Sequence, residues 1–230
     1  MTAGEVPLAE LAETLASHGL ILRGGFHPEA GEAEFEGAGT VLLVGNAGGA
    51  MWDAFAPDID GDPNPLDRWT RHIIDPLAAR FRARAIYPFD ADTPPFQRWA
   101  LRAETLHPSP IGLLIHPEFG LWHAWRAALL FPDRLPLSPR ADGPSPCETC
   151  AGKPCLSACP VGAFSYSGYD VAACASHIAT LDAGCNHSGC RARNACPVGA
   201  EWRYPEAQIR FHMAAFARAM SRANTMGEES

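Results

Sequence analysis

Cys147-Glu-Thr-Cys150-Ala-Gly-Lys-Pro-Cys155-Leu-Ser-Ala-Cys159-Pro160 decides the reading of this chain. The remaining cysteines follow at Cys174, Cys185, Cys190 and Cys196, and Cys196 is again followed by proline. All eight cysteines of the 230 residues therefore fall between 147 and 196, and none stands before 147. Cysteines packed this way in a chain without a secretory leader point to metal ligation, because cytosolic thiols stay reduced and seldom pair.

The first run matches the bacterial iron–sulfur pattern C-x2-C-x2-C-x3-C-P, with its middle gap lengthened by two residues. Gly152 and Pro154 suit the tight loop that turns several sulfurs inward. The second group is looser, yet the total is four ligands for each of two [4Fe–4S] clusters. In such pairs the cysteine before proline serves the other cluster. That rule assigns Cys147, Cys150, Cys155 and Cys196 to one cluster and Cys174, Cys185, Cys190 and Cys159 to the other. Two four-cysteine zinc sites are the competing reading, disfavoured by the two Cys-Pro endings and by a second group lacking C-x2-C. His187 is a loop histidine by default, with ligation as its alternative. Cys159-Pro-Val-Gly-Ala recurs at Cys196-Pro-Val-Gly-Ala, a short echo that suggests a duplicated cluster unit.

Outward from the cysteines, residues 132–146 are rich in Pro, Asp, Arg and Ser and read as a linker. The expected division is a first domain over 1–140, a cluster domain over 141–202 and a helix over 203–222 packing back on the first domain. Leu8, Leu11 and Leu15 have helical spacing; 21–26 and 40–45 read as strands. A helix over 66–81 carries Pro76, which predicts a kink or break. Residues 83–87 read as a strand and 96–105 as a helix. Strands over 112–116 and 122–131 are joined by a Pro-Glu-Phe-Gly turn. Pro205 opens the last helix. The mixture predicts an α+β class.

Hydrophobic residues make up 47%, enough for a sizeable core. The formal charge of −8, from 26 acidic and 18 basic side chains, argues against nucleic acid as the main partner. The absence of an apolar span or a basic–apolar leader predicts a cytoplasmic protein without membrane attachment.

The cysteine module resembles the two-cluster ferredoxin domain of epoxyqueuosine reductases, in which an isolated cysteine also stands in a segment like Cys174-Ala-Ser-His-Ile-Ala-Thr-Leu. Upstream, Ile111-Gly-Leu-Leu-Ile-His-Pro-Glu-Phe-Gly-Leu-Trp is similar to the core of CblC-type cobalamin-processing proteins, with their His-Pro-Arg-Phe-Gly-Gly-Trp. Thr40-Val-Leu-Leu-Val with Ala50-Met-Trp-Asp-Ala-Phe, Asp62-Pro-Asn-Pro-Leu-Asp and Arg203-Tyr-Pro-Glu-Ala-Gln resemble further stretches of that family in the same order. This chain departs from it at Glu118, where the family has arginine, and lacks the Gly-x-Gly-x-x-Gly-Lys-Asn signature of epoxyqueuosine reductases. The resemblance implies a nitroreductase-like α/β sandwich with an inserted two-cluster module. It implies a corrinoid, cobalamin, lined by His116, Phe119, Gly120 and Trp122. It also implies single-electron reduction of the corrinoid or removal of its upper ligand, fed by an external low-potential donor of the flavodoxin or ferredoxin-reductase type. The alternatives are a ferredoxin-like electron carrier without a corrinoid and a reductase using FMN. No catalytic side chain is assigned.

Overall fold

The computed structural model describes residues 7–166, 168–180 and 184–228, with side chains through 221. The elements run α1 (Leu8–Ala16), β1 (Ile21–Phe26), β2 (Thr40–Ala47), α2 (Ala50–Phe55), α3 (Pro65–Arg80), β3 (Arg84–Ile86), α4 (Phe96–Ala103), β4 (His107–Pro108), β5 (Leu114–Ile115) and β6 (His123–Phe131). There follow α5 (Pro154–Ser157), β7 (Phe164–Ser165), β8 (Gly168–Tyr169), α6 (Val171–Ile178), α7 (Gly184–Ser188), α8 (Arg191–Asn194) and α9 (Glu206–Glu228). The class is α+β, as expected. The described residues contain no helix long and apolar enough to cross a membrane.

The chain divides into two compact units. One takes the chain up to Leu106 together with His123–Gly143; the other takes His107–Trp122 and the chain from Pro144. This partition differs from the expected boundary near 140. The arm His107–Trp122 goes with the cysteines because Ile111, Ile115 and Leu121 are buried against Cys155, Phe164 and Cys196. The last helix, expected against the first domain, packs on α6 and α7 within the second unit.

The first unit is built on an antiparallel sheet in the order β1-β2-β6-β3. All eight residues of β2 are buried, which explains its nearly unbroken apolar run. β2 pairs with β6 from Thr40 opposite Phe131 to Ala47 opposite His123. The register shifts between Val44 and Gly45, where a Cβ on Gly45 would stand 2.1 Å from the Ala124 carbonyl oxygen. α3 carries Pro76 inside it and continues to Arg80, so the expected break does not occur.

A polar cluster lies in this core. Arg23, on β1, donates from Nε and Nη2 to Glu104 Oε2 at 3.0 and 2.8 Å. It also reaches the Asn46 carbonyl oxygen at 3.3 Å and lies 3.2 Å from His123 Nδ1. Trp125 Nε1 donates to Glu104 Oε1 at 2.8 Å. Burial pushes the Glu104 carboxyl above the usual range, against the pull of Arg23 and the Trp125 hydrogen bond. Arg23 is inside because every donor direction described meets an acceptor, the condition for a buried charge.

Candidate functional site: two four-cysteine cavities

The second unit is short helices and turns strung between cysteines. Gly152 has φ +70° and Lys153 φ +38°, a left-handed corner that reverses the chain after Cys150. Lys153 Nζ closes the loop by donating to the Cys147 carbonyl oxygen at 2.6 Å. Pro154 then opens α5, a position where its missing N–H is not needed, and Cys155 follows in that first turn. Asp170 caps α6 by accepting from the Ala173 amide at 2.9 Å, which fixes the helix that carries Cys174. Asn186 Nδ2 donates to the carbonyl oxygens of Ile178 and Thr180, tying the turn with Cys185 to the end of α6. Cys190 precedes α8 and Cys196 follows it.

The eight thiols sort into two cavities. A small one, about 20 Å³, is lined by Cys147, Cys150, Cys155 and Cys196. A larger one, about 350 Å³, is lined by Cys159, Cys174, Cys185 and Cys190. The two cysteines that precede prolines are the ones that cross between groups, as the spacing rule predicts. Both crossings use one backbone device. In Cys159-Pro-Val-Gly162 and Cys196-Pro-Val-Gly199 the glycines have φ +61° and +67°, so the repeated sequence makes the same left-handed turn twice.

Electrostatics group the thiols in the same way. Burial pushes Cys155 up, and the charges of Cys147 and Cys150 add to it. Burial raises Cys196, countered by the Val198 amide and reinforced by Cys147, Cys155 and Cys150. Cys190 is raised by burial, lowered by the amides of Arg193 and Ala192, and raised again by Cys185 and Cys174. Burial also raises Cys147. The Ala163 amide donates to Cys159 Sγ at 3.3 Å. Such thiols stay protonated unless positive charge arrives among them, and the amides beside them are suited to sulfur that carries negative charge.

A fit to two cubane clusters rests on this donor set: four thiols per cavity, amide donors to sulfur, and apolar walls. The larger cavity has the volume as well. The smaller is a void little above that of one water, so its thiols must move apart to admit four irons. Among the described residues no group of three or more His, Cys, Asp and Glu side chains is placed to hold a metal ion directly. His187 is exposed and lines neither cavity. His177, to which the sequence reading gave no role, lines the larger one, and its Nε2 is buried without a hydrogen-bond partner.

The four residues implied to line a corrinoid have structural partners here. His116 and Gly120 exchange backbone hydrogen bonds of 2.8 and 3.0 Å, and His116 Nδ1 accepts from the amides of Glu118 and Phe119, both at 3.1 Å. The His116 ring stacks on Phe119, with centroids 4.3 Å apart, and Phe119 meets the edge of Trp202. Gly120 has φ +57°, and a Cβ there would stand 1.9 Å from the Val198 carbonyl oxygen. Trp122 is buried between the Arg193 guanidinium, 4.3 Å from its ring, and Tyr204. Arg193 in turn donates to the Leu121 carbonyl oxygen. The motif thus builds a tight turn seated on the Cys196-Pro-Val-Gly loop, and Ile115 and Leu121 beside it wall the smaller cysteine cavity.

No protein-family model matches this chain. No curated protein matches it either. A solved structure of an epoxyqueuosine reductase with an epoxyqueuosine-modified tRNA-Tyr stem loop superposes on it with a TM-score of 0.51 at 15% identity. The likeness covers 88% of this chain and 68% of that one. The fold is therefore like that of an epoxyqueuosine reductase, a redox enzyme; the resemblance to CblC-type proteins finds no support among the comparisons. One expectation falls. Net charge was taken to exclude nucleic acid, yet a protein of this fold has been solved with a tRNA stem loop, so that exclusion does not stand.

Proposed function

We propose that this chain is an iron–sulfur oxidoreductase whose second unit holds two [4Fe–4S] clusters and passes single electrons to a bound acceptor. The observation that carries it is the division of eight cysteines, four and four, between two cavities. Cys147, Cys150, Cys155 and Cys196 would hold one cluster, and Cys159, Cys174, Cys185 and Cys190 the other. When bound, such clusters supply one-electron storage at a potential set by burial and by hydrogen bonds to sulfur. The chain's own part is to keep water from the sulfurs with Ile111, Ile115, Leu121 and Phe164, and to direct amides at them from Ala163, Ala192 and Val198.

A corrinoid is the acceptor we favour, on the resemblance of the 111–122 segment. A second reading takes the acceptor to be a base of tRNA, favoured by the likeness to the reductase solved with its stem loop. The test is anaerobic purification with iron, sulfide and zinc analysis, then electron paramagnetic resonance of the reduced protein. About eight irons per chain are expected. Cys155→Ser and Cys196→Ser should remove one signal, and Cys159→Ser and Cys185→Ser the other. Zinc in place of iron, or Cys196→Ser and Cys185→Ser removing the same signal, would sink the assignment. A cob(II)alamin titration followed by absorbance, beside fluorescence anisotropy of a labelled tRNA stem loop, decides between the acceptors.

A further inference from the structure

A third cavity in the second unit, about 640 Å³, has no part in the assignments above. Three stretches wall it: the arm from His107 to Gly112, the first cysteine loop with Ser145, Cys147, Glu148 and Lys153, and the β7–β8 hairpin with Ser165, Tyr166 and Tyr169. Its volume is in the range of small-molecule sites. Two wall residues have unmet polar groups: His107 Nε2 and Ser109 Oγ are buried without a hydrogen-bond partner. Each such atom costs about 1–3 kcal/mol, a penalty that the edge of a ligand removes. Tyr166 is 85% exposed, an unusual state for a large aromatic ring, and stands at the same cavity.

The cavity touches both cysteine groups. Cys147 lines it and also lines the smaller thiol cavity. Tyr169 lines it and the larger thiol cavity, and its hydroxyl is hydrogen-bonded with Cys174. A molecule held here is in reach of both groups at once. Two one-electron stores beside one site match a carrier that holds two electrons and releases them singly. The wall is polar, with a histidine, three serines, a lysine and a glutamate. That composition suits a ring with heteroatoms along its edge and disfavours a quinone with a hydrocarbon tail.

We infer that this cavity binds a flavin-type heteroaromatic ring, stacked on Tyr166 and hydrogen-bonded at its edge by His107 and Ser109, as the electron donor to both clusters. The inference rests on the two-cluster reading. The reduced ring becomes the oxidised ring by losing two electrons and two protons. One electron goes to the cluster held by the Cys147 group and one to that held by the Cys174 group, and the protons pass to water at the open mouth.

The probe is riboflavin, with adenosine as a planar ring that carries no electrons. Equilibrium dialysis on the anaerobic full-length protein should give one riboflavin per chain. Tyr166→Ala, at a position too exposed to threaten folding, and Ser109→Ala should each weaken binding about tenfold, the scale of one lost ring stack or hydrogen bond. Mixing with reduced riboflavin should bleach the cluster absorbance by two electrons per chain, and Tyr166→Ala should slow it. Absent binding, binding indifferent to both substitutions, equal competition by adenosine, or binding without bleaching would each overturn the inference. Iron analysis of the same sample separates its failure from that of the cluster reading: a chain without iron sinks the clusters, and dialysis still reports the cavity.

Discussion

Gly162 and Gly199 occupy the same place in the same five-residue sequence, with φ +61° and +67°, but their surroundings differ. A Cβ on Gly162 would meet nothing within 4 Å, whereas one on Gly199 would stand 2.4 Å from the Phe119 carbonyl carbon and 2.5 Å from the Gly120 nitrogen. Alanine at either position adopts a left-handed conformation at about 1–2 kcal/mol. Gly199→Ala adds a collision with backbone, which cannot rotate away, at about 1–3 kcal/mol. The difference between the two variants is therefore about 1–3 kcal/mol, or roughly 2–12 °C in melting temperature at the ~2–4 °C per kcal/mol of a chain this size. The assay is thermal unfolding of the anaerobic protein, with iron counted before each melt. Gly199→Ala should also lose iron preferentially from the group that includes Cys196, because the displaced loop carries that ligand. Equal melting temperatures for the two variants would refute the packing of the 116–120 turn on the second Cys-Pro loop, and with it the structural role given to His116 and Gly120.

Arg23→Met should cost about 3–5 kcal/mol, because it leaves the Glu104 carboxyl buried without its cation; urea unfolding measures it, and a loss below about 1 kcal/mol would contradict the pairing. The sign of the pH dependence follows from burial. Folded Glu104 holds its proton more tightly than unfolded glutamate, so its favourable contribution is present below the ordinary glutamate range and fades as pH rises through that range to the raised folded value. Glu104→Gln should flatten that segment of the stability curve, and Arg23→Met should steepen it. His116→Ala removes the acceptor of two amides and should cost about 1–2 kcal/mol, read as a fall in melting temperature. A variant with unchanged melting that no longer bound cob(II)alamin would instead place His116 on the corrinoid.

Some of this was legible because local chemistry decided it. Thr40-Val-Leu-Leu-Val could hardly be anything but a covered strand, and β2 is buried at every residue. The grouping of thiols followed from the prolines after Cys159 and Cys196, since a chain turned away after a sulfur must offer it elsewhere. What pairs across distance was not legible. Arg23, Glu104 and His123 meet from three separate parts of the chain, and no spacing rule links them. His107 and His177 looked like loop histidines because nothing local shows that their Nε2 atoms are enclosed. The arm 107–122 was read correctly as short extended pieces and a turn, but pattern does not reveal which core Ile111 and Leu121 enter. Trp122 shows the limit well: an indole beside a glycine turn fits a ligand site and a core equally, and its burial against Arg193 and Tyr204 is a tertiary fact.

The two cysteine groups are interlocked, and magnitudes show what couples them. Treated as cross-links, the proposed clusters close the chain from Cys155 to Cys196 at about 4 kcal/mol and from Cys159 to Cys174 at about 3 kcal/mol of unfolded-state entropy. The second loop lies inside the first, so closing it shortens the outer one. Loop entropy depends only on the logarithm of length, and the saving is about 0.4 kcal/mol, roughly twofold in affinity. Entropy alone leaves the two groups nearly independent. Packing does not. Ile111 is 4% exposed and lines both cavities, so one side chain supplies wall to both. Truncating it removes about 2–5 kcal/mol of packing shared between them. Ile111→Ala should accelerate iron release into a chelator from both clusters together, followed as loss of both resonance signals. Release from one cluster with the other untouched would show that the shared wall does not couple them, and that the two groups are joined by the chain alone.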